Sequence, residues 1–114
     1  MSADAPLDRD SWLRMRAEVQ AFHDKHRFRE KGGEELVYRL ALMTEELGEI
    51  SAAVTKGKGK EAVAEECADL LILLMGTAIS ADFDLRGAFW DKMDELMDRS
   101  SRMVDGRIRV SRFE

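Results

Sequence analysis

Glu45, Glu46 and Glu49 stand in "LMTEELGEISAA" (42–53), and Glu65, Glu66 and Asp69 stand in "AEECADLLILLM" (64–75). Carboxylate oxygens are hard ligands, matched to Mg²⁺ or Mn²⁺, with water or phosphate oxygens filling the remaining positions. At about 100° per residue, a helix puts Leu42, Glu46, Glu49 and Ala53 in one column. Ala62, Glu66, Asp69 and Leu73 make a second such column in mirror order. A solvated acidic face normally carries Lys or Arg four residues further on. Here those positions hold Ile50, Ala53, Leu70 and Leu73, so the usual ion-pair partners are missing. If the two helices close into an antiparallel hairpin, Leu42 meets Leu73, Ala53 meets Ala62, and four acids converge between them. Gathered inside a bundle, they repel one another unless protonated or bridged by cations. Glu45 is off the column but near enough to reach another ion or hold a water; Glu65 reads as a solvated neighbour.

The elements that must position these acids are helical. One proline and few β-branched residues leave little to break a helix or favour a strand. Apolar spacing and punctuation predict four helices. The first starts at Asp10 or Ser11, with Trp12, Met15, Val19 and Phe22 on one face. "KGG" (31–33) separates it from a second, over about 34–55, whose main seam is Leu36, Leu40, Met43, Leu47, Ile50 and Val54. "KGKGK" (56–60) is short enough to make the turn of a helical hairpin. The third helix, about 61–81, is apolar nearly all round in its second half and needs cover on several sides. That predicts a homo-oligomer with this helix central. Asp82 or Asp84 caps a fourth helix with Phe89, Met93, Leu96 and Met97 inward, and the tail alternates after an Asp-Gly turn, as a short extended piece does. The expected architecture is all-α, a single domain over residues 1–114.

Composition narrows the function. With 45% hydrophobic and 36% charged residues, the 114-residue chain is a folded helical protein rather than a disordered one. A net charge of −5 argues against a nucleic-acid partner. The longest apolar run, Leu70 to Ile79 with Asp69 at its edge, is too short to span a membrane. "MSADAPLDRD" lacks a basic-then-apolar signal pattern, and the lone Cys67 allows no disulfide within the chain, so a cytoplasmic location is expected, with Cys67 a small core residue.

"EELGEI" followed one hairpin later by "ECADLL" resembles the ExxE…ExxD pattern of the MazG-like all-α nucleoside triphosphate pyrophosphohydrolase superfamily. "FHDKHRF" (22–28) and a following helix with Lys92 and Arg99 are similar too, so the resemblance extends over most of the chain. It implies a four-helix, dimeric or tetrameric Mg²⁺-dependent enzyme, with Mn²⁺ as a substitute. Such an enzyme cuts a nucleoside triphosphate between its α- and β-phosphates, giving a monophosphate and pyrophosphate, as in housecleaning of the nucleotide pool. On that resemblance Glu46, Glu49, Glu66 and Asp69 are the metal ligands, and Glu45 or Glu46 orients or deprotonates the attacking water. Lys92 and Arg99 are candidates for the β- and γ-phosphates. Many relatives have Asn four residues after the lysine, where this chain has Leu96.

Phosphoribosyl-ATP pyrophosphohydrolase is the closest rival within the enzyme class, since its helices carry related "EE" and "ADL" patterns. A non-catalytic, metal-stabilised module that binds nucleotides or a protein is the reading from outside it. His23 and His26 have one-turn spacing suited to Zn²⁺, but no sulfur or third imidazole accompanies them. They read instead as partly exposed helix-end residues, with His23 and Phe28 the choice for a base pocket. Trp12 and Phe22 read as core.

Overall fold

The computed structural model describes Arg9 and residues 11–111. The chain is mostly helical, in the order α1 (Trp12–Lys25), α2 (Leu36–Thr55), α3 (Lys60–Ser80) and α4 (Leu85–Asp98), followed by strands β1 (Ser101–Val104) and β2 (Arg107–Val110). It divides into two compact units, one ending at Phe83 and one beginning at Asp84. The N-terminal segment and Asp10, the alternative first cap, lie outside the described residues.

In the first unit, Ser11 caps α1 by accepting a hydrogen bond from the Arg14 amide at 3.1 Å, satisfying one of the orphan donors of the first turn. The four-residue stretch Lys56–Gly59 joins α2 to α3. Gly57 and Gly59 take φ of 63° and 96°, a backbone region that side-chain-bearing residues rarely enter, so "KGKGK" turns the chain where a helix former would continue it. α1 and α2 both pack on α3. The buried apolar residues are Val19, Ala53, Met75 and Ala78, with Thr77, His23 and Arg39 as buried polar ones.

The hairpin uses only part of the seam that periodicity ranks first: Met43 and Ile50 are half-buried, and Thr77 Oγ1 of α3 lies 4.0 Å from Met43 Sδ. Leu36, Leu40, Leu47 and Val54 are 57%, 61%, 60% and 61% exposed. α3 packs between Met43 and Ile50 of that seam and the neighbouring column, with Arg39 and Ala53 buried and Leu42 and Glu46 half-buried. α2 is apolar on two faces, and a single antiparallel partner covers only one of them. On α3, residues 75–78 are buried, whereas Leu71, Ile72 and Leu74 remain exposed. Cys67, expected in the core, is exposed. Phe22, also expected in the core, is largely exposed and sits edge-on to Phe28 at 5.2 Å between ring centroids.

In the second unit, Asp84 caps α4 by accepting from the Gly87 amide at 3.0 Å. Met93 and Leu96 are half-buried, whereas Phe89 and Met97, predicted inward, are exposed. β1 and β2 pair antiparallel, with Arg102 opposite Arg109 and Met103 opposite Ile108. Asp105 and Gly106, both at positive φ, make the turn, the geometry favoured by tight hairpins.

Candidate metal centre

The acids lie at mid-height of the α2–α3 hairpin. One carboxylate oxygen from each of Glu46, Glu66 and Asp69 lies within 4.8 Å of the other two. Around an octahedral ion with oxygens at 2.0–2.1 Å, opposite ligands are about 4.2 Å apart and adjacent ones about 3.0 Å. The three side chains are therefore near the span of one such ion and need only close slightly. Glu46 Oε2 and Glu66 Oε2 are buried without a hydrogen-bond partner, a costly condition that a cation would relieve. The residues present fit a hard divalent cation.

Electrostatics reinforces this. The Glu66 carboxyl is raised from 4.5 to about 7, first by a hydrogen bond with Glu49, then by burial and by the charges of Glu49, Glu46 and Asp69. Glu46 is also raised, first by burial, then by Glu49 and Asp69, with Glu45 a smaller contributor and a hydrogen bond from Glu66 opposing. Every charge acting on these two groups belongs to another acid. Glu49 is exposed and stands outside the three-residue group, yet it lies close enough to Glu66 to be the first cause of that carboxyl's raised pKa. Glu45 is exposed beside the cluster.

The other candidate residues are placed differently. His23 is buried, at 2% exposure, against the expectation of a partly exposed helix-end residue; its Nδ1 is 3.2 Å from Glu34 Oε1 and its ring lies 4.8 Å from Phe28. The turn at Arg27, with φ of 54°, folds residues 28–34 back over the end of α1 and covers the imidazole. His26 is exposed, and neither histidine joins a metal-sized group among the described residues. His23 also lines a cleft of about 590 Å³, together with Asp24, Arg27, Arg29, Ser80 and Asp82. Eleven residues of α3 separate Asp69 from Ser80, about 16 Å of helix, so this cleft is not the acidic site. In the second unit, Lys92 Nζ contacts Glu95 Oε2 at 3.0 Å and Arg99 pairs with Glu95 Oε1, so both candidate phosphate ligands are held by one acid.

Sequence reasoning missed Arg39. It is 1% exposed and donates from Nε to Thr77 Oγ1 (2.9 Å), from Nη1 to the Gly33 carbonyl (3.1 Å) and from Nη2 to the Leu73 carbonyl (2.9 Å). Burial lowers its pKa and the Glu34 charge opposes that. Gly76 makes the room: a Cβ there would meet the Arg39 guanidinium and come within 2.5 Å of His23 Nε2. The available signal was a lone arginine inside "LVYRLALM", with a lone glycine inside "LLMGTAI".

The phosphoribosyl-ATP pyrophosphohydrolase family matches this sequence over residues 12–96. The chain belongs to that family. The match takes in α1–α3 and most of α4, including every acid of the cluster, and stops before the β-hairpin. Membership places the chain in the MazG-like all-α superfamily and assigns a pyrophosphohydrolase activity, the hydrolysis of a phosphoric anhydride. The family found is the one that stood as the rival within the enzyme class. Comparison with curated proteins and with solved structures gives no match.

Proposed function

We propose that this member of the phosphoribosyl-ATP pyrophosphohydrolase family hydrolyses phosphoribosyl-ATP between its α- and β-phosphates in a Mg²⁺-dependent reaction, releasing pyrophosphate. The observation that carries the reading is the convergence of Glu46, Glu66 and Asp69 around two unsatisfied carboxylate oxygens. Glu46, Glu66 and Asp69 would hold the ion, and Glu49, beside Glu66, completes the ligand set. Mg²⁺, or Mn²⁺ in its place, offsets the charge of the triphosphate and makes a bound water more acidic. Without that neutralisation, four carboxylates would repel the substrate. Glu45, exposed next to Glu46, takes the proton of the attacking water, with Glu46 the alternative acceptor. The water oxygen bonds to phosphorus as the bridging P–O bond breaks, and the leaving pyrophosphate carries away the electron pair.

A plain nucleoside triphosphate is the second reading, favoured by the ExxE…ExxD spacing of Glu46, Glu49, Glu66 and Asp69. Pyrophosphate release from phosphoribosyl-ATP and from the standard and deoxynucleoside triphosphates, with Mg²⁺ and with EDTA, separates the two. Binding without turnover of any of them would leave a non-catalytic metal-stabilised module. The exposed column Leu36, Leu40, Leu47 and Val54 supports a homodimer or homotetramer in which a second copy covers α2. Among the described residues, no helix is long and apolar enough to cross a membrane. The acidic balance of the chain supports neither nucleic acid nor an anionic membrane surface as partner, and a cytoplasmic location suits a nucleotide substrate.

A further inference from the structure

Arg39 lies seven residues before Glu46 on α2, and Leu73 lies seven residues after Glu66 on α3. Seven residues of helix advance about 10.5 Å and return to within about 20° of the same face. In an antiparallel hairpin, the Arg39–Leu73 hydrogen bond is therefore the Glu46–Glu66 contact carried one heptad along both helices. Leu73 is also one turn beyond Asp69, so the carbonyl that Arg39 grips belongs to the column that carries both α3 acids.

Apolar packing alone leaves this register weakly determined. Burial is non-directional, and the second half of α3 is apolar nearly all round, so apolar contact by itself does not single out one rotation of α3. A slip of one turn, about 5.4 Å, would set Ala62 or Leu70 against Glu46 and scatter the ligands. The guanidinium fork is directional: its bonds to Thr77 Oγ1 and the Leu73 carbonyl are satisfied at one axial position and one rotation of α3. Its bond to the Gly33 carbonyl ties the same pin to the segment before α2. Thr77 Oγ1 itself donates to the Leu73 carbonyl at 2.7 Å, so the receiving end is held as well. A buried arginine is a poor source of stability compared with a hydrophobic residue of its size, which points to specificity as its use.

We propose that Arg39 is a positioning residue for the metal centre: it fixes the α2–α3 register in which Glu46 meets Glu66 and Asp69. The proposal rests on the metal-dependent reading of the acidic cluster, and two readouts keep the two apart. In a Cys67→Ala background, spin labels at exposed Ser51 and Ala64 report the spacing of α2 and α3 without metal. Arg39→Met and Arg39→Lys should broaden or shift that distance, Lys less so because it keeps a donor but loses the fork. Mn²⁺ affinity, read by the electron spin resonance of free ion, should fall about 10- to 100-fold. Val19→Ala, which removes buried volume from α1, serves as the control: thermal stability should fall while Mn²⁺ affinity stays at the wild-type value. An unchanged label distance in folded Arg39→Met, or Mn²⁺ affinity equal to that of Val19→Ala, overturns the role of Arg39. If the wild type itself binds no Mn²⁺, the metal-dependent reading fails, and the label distances still decide whether Arg39 fixes the register.

Discussion

The raised Glu66 carboxyl makes a quantitative demand on metal binding. With its pKa at about 7, Glu66 in the metal-free protein is protonated at acid pH, and an ion can use that carboxylate only after displacing the proton. From the titration curve, binding should release about 0.9 proton from Glu66 at pH 6, about 0.5 at pH 7 and about 0.1 at pH 8. The matching cost to affinity is a factor of about 11 at pH 6 and about 1.1 at pH 8, so Mg²⁺ should bind roughly tenfold more weakly at the lower pH. Glu46, shifted in the same direction, adds to the effect with the same sign. Titration calorimetry in two buffers of different ionisation enthalpy reads the proton count directly, and Glu66→Gln should remove most of its pH dependence. Stability without metal follows the opposite course. Because the folded-state pKa lies above the unfolded value, the contribution of Glu66 is fully present below about pH 4.5 and is lost as the pH rises through about 7. Added Mg²⁺ should restore melting temperature most at pH 8 and least at pH 5. A proton count near zero at pH 6, or an affinity equal at pH 6 and pH 8, would refute the view that Glu49, burial and mutual repulsion hold a proton on Glu66.

Three further outcomes are expected. Glu49→Gln should lower kcat for pyrophosphate release at least about 100-fold while circular dichroism stays that of the wild type, since Glu49 is exposed and carries no core packing. Gly76→Ala pushes a methyl group against the Arg39 guanidinium and His23 Nε2, and should cost about 1–3 kcal/mol in urea unfolding; a neutral result would mean that the contact yields freely. Leu47→Glu places a charge at the middle of the exposed α2 column, so light scattering should show a smaller assembly than the wild type, and an unchanged mass would remove this column from the interface.

Much of the molecule is set by local pattern. Ser11 and Asp84 cap the helices that the sequence assigns to them, "KGKGK" makes the hairpin turn, and the alternating tail after Asp105-Gly106 forms one short strand, β2, which pairs with β1 before the turn. The meeting of Glu46 with Glu66 and Asp69 was also legible, because helical angle and the mirror order of two columns are properties of spacing alone. What spacing does not carry is which of two apolar faces a helix turns inward. Periodicity ranks the seam of Leu36, Leu40, Met43, Leu47, Ile50 and Val54 first on α2, yet α3 half-buries only its Met43 and Ile50, together with the column of Arg39, Glu46 and Ala53, and leaves the other four exposed. Hydrophobicity measures how much a face gains from cover and says nothing of which neighbour provides it. The same limit hid His23, which the fold-back of residues 28–34 buries beside Phe28 and Glu34, and left Cys67 in solvent within an apolar run. Arg39 shows the boundary most clearly. By composition it is one charge in a helix; its meaning lies in acceptors at Gly33, Leu73 and Thr77 that only the closed hairpin brings within hydrogen-bond reach.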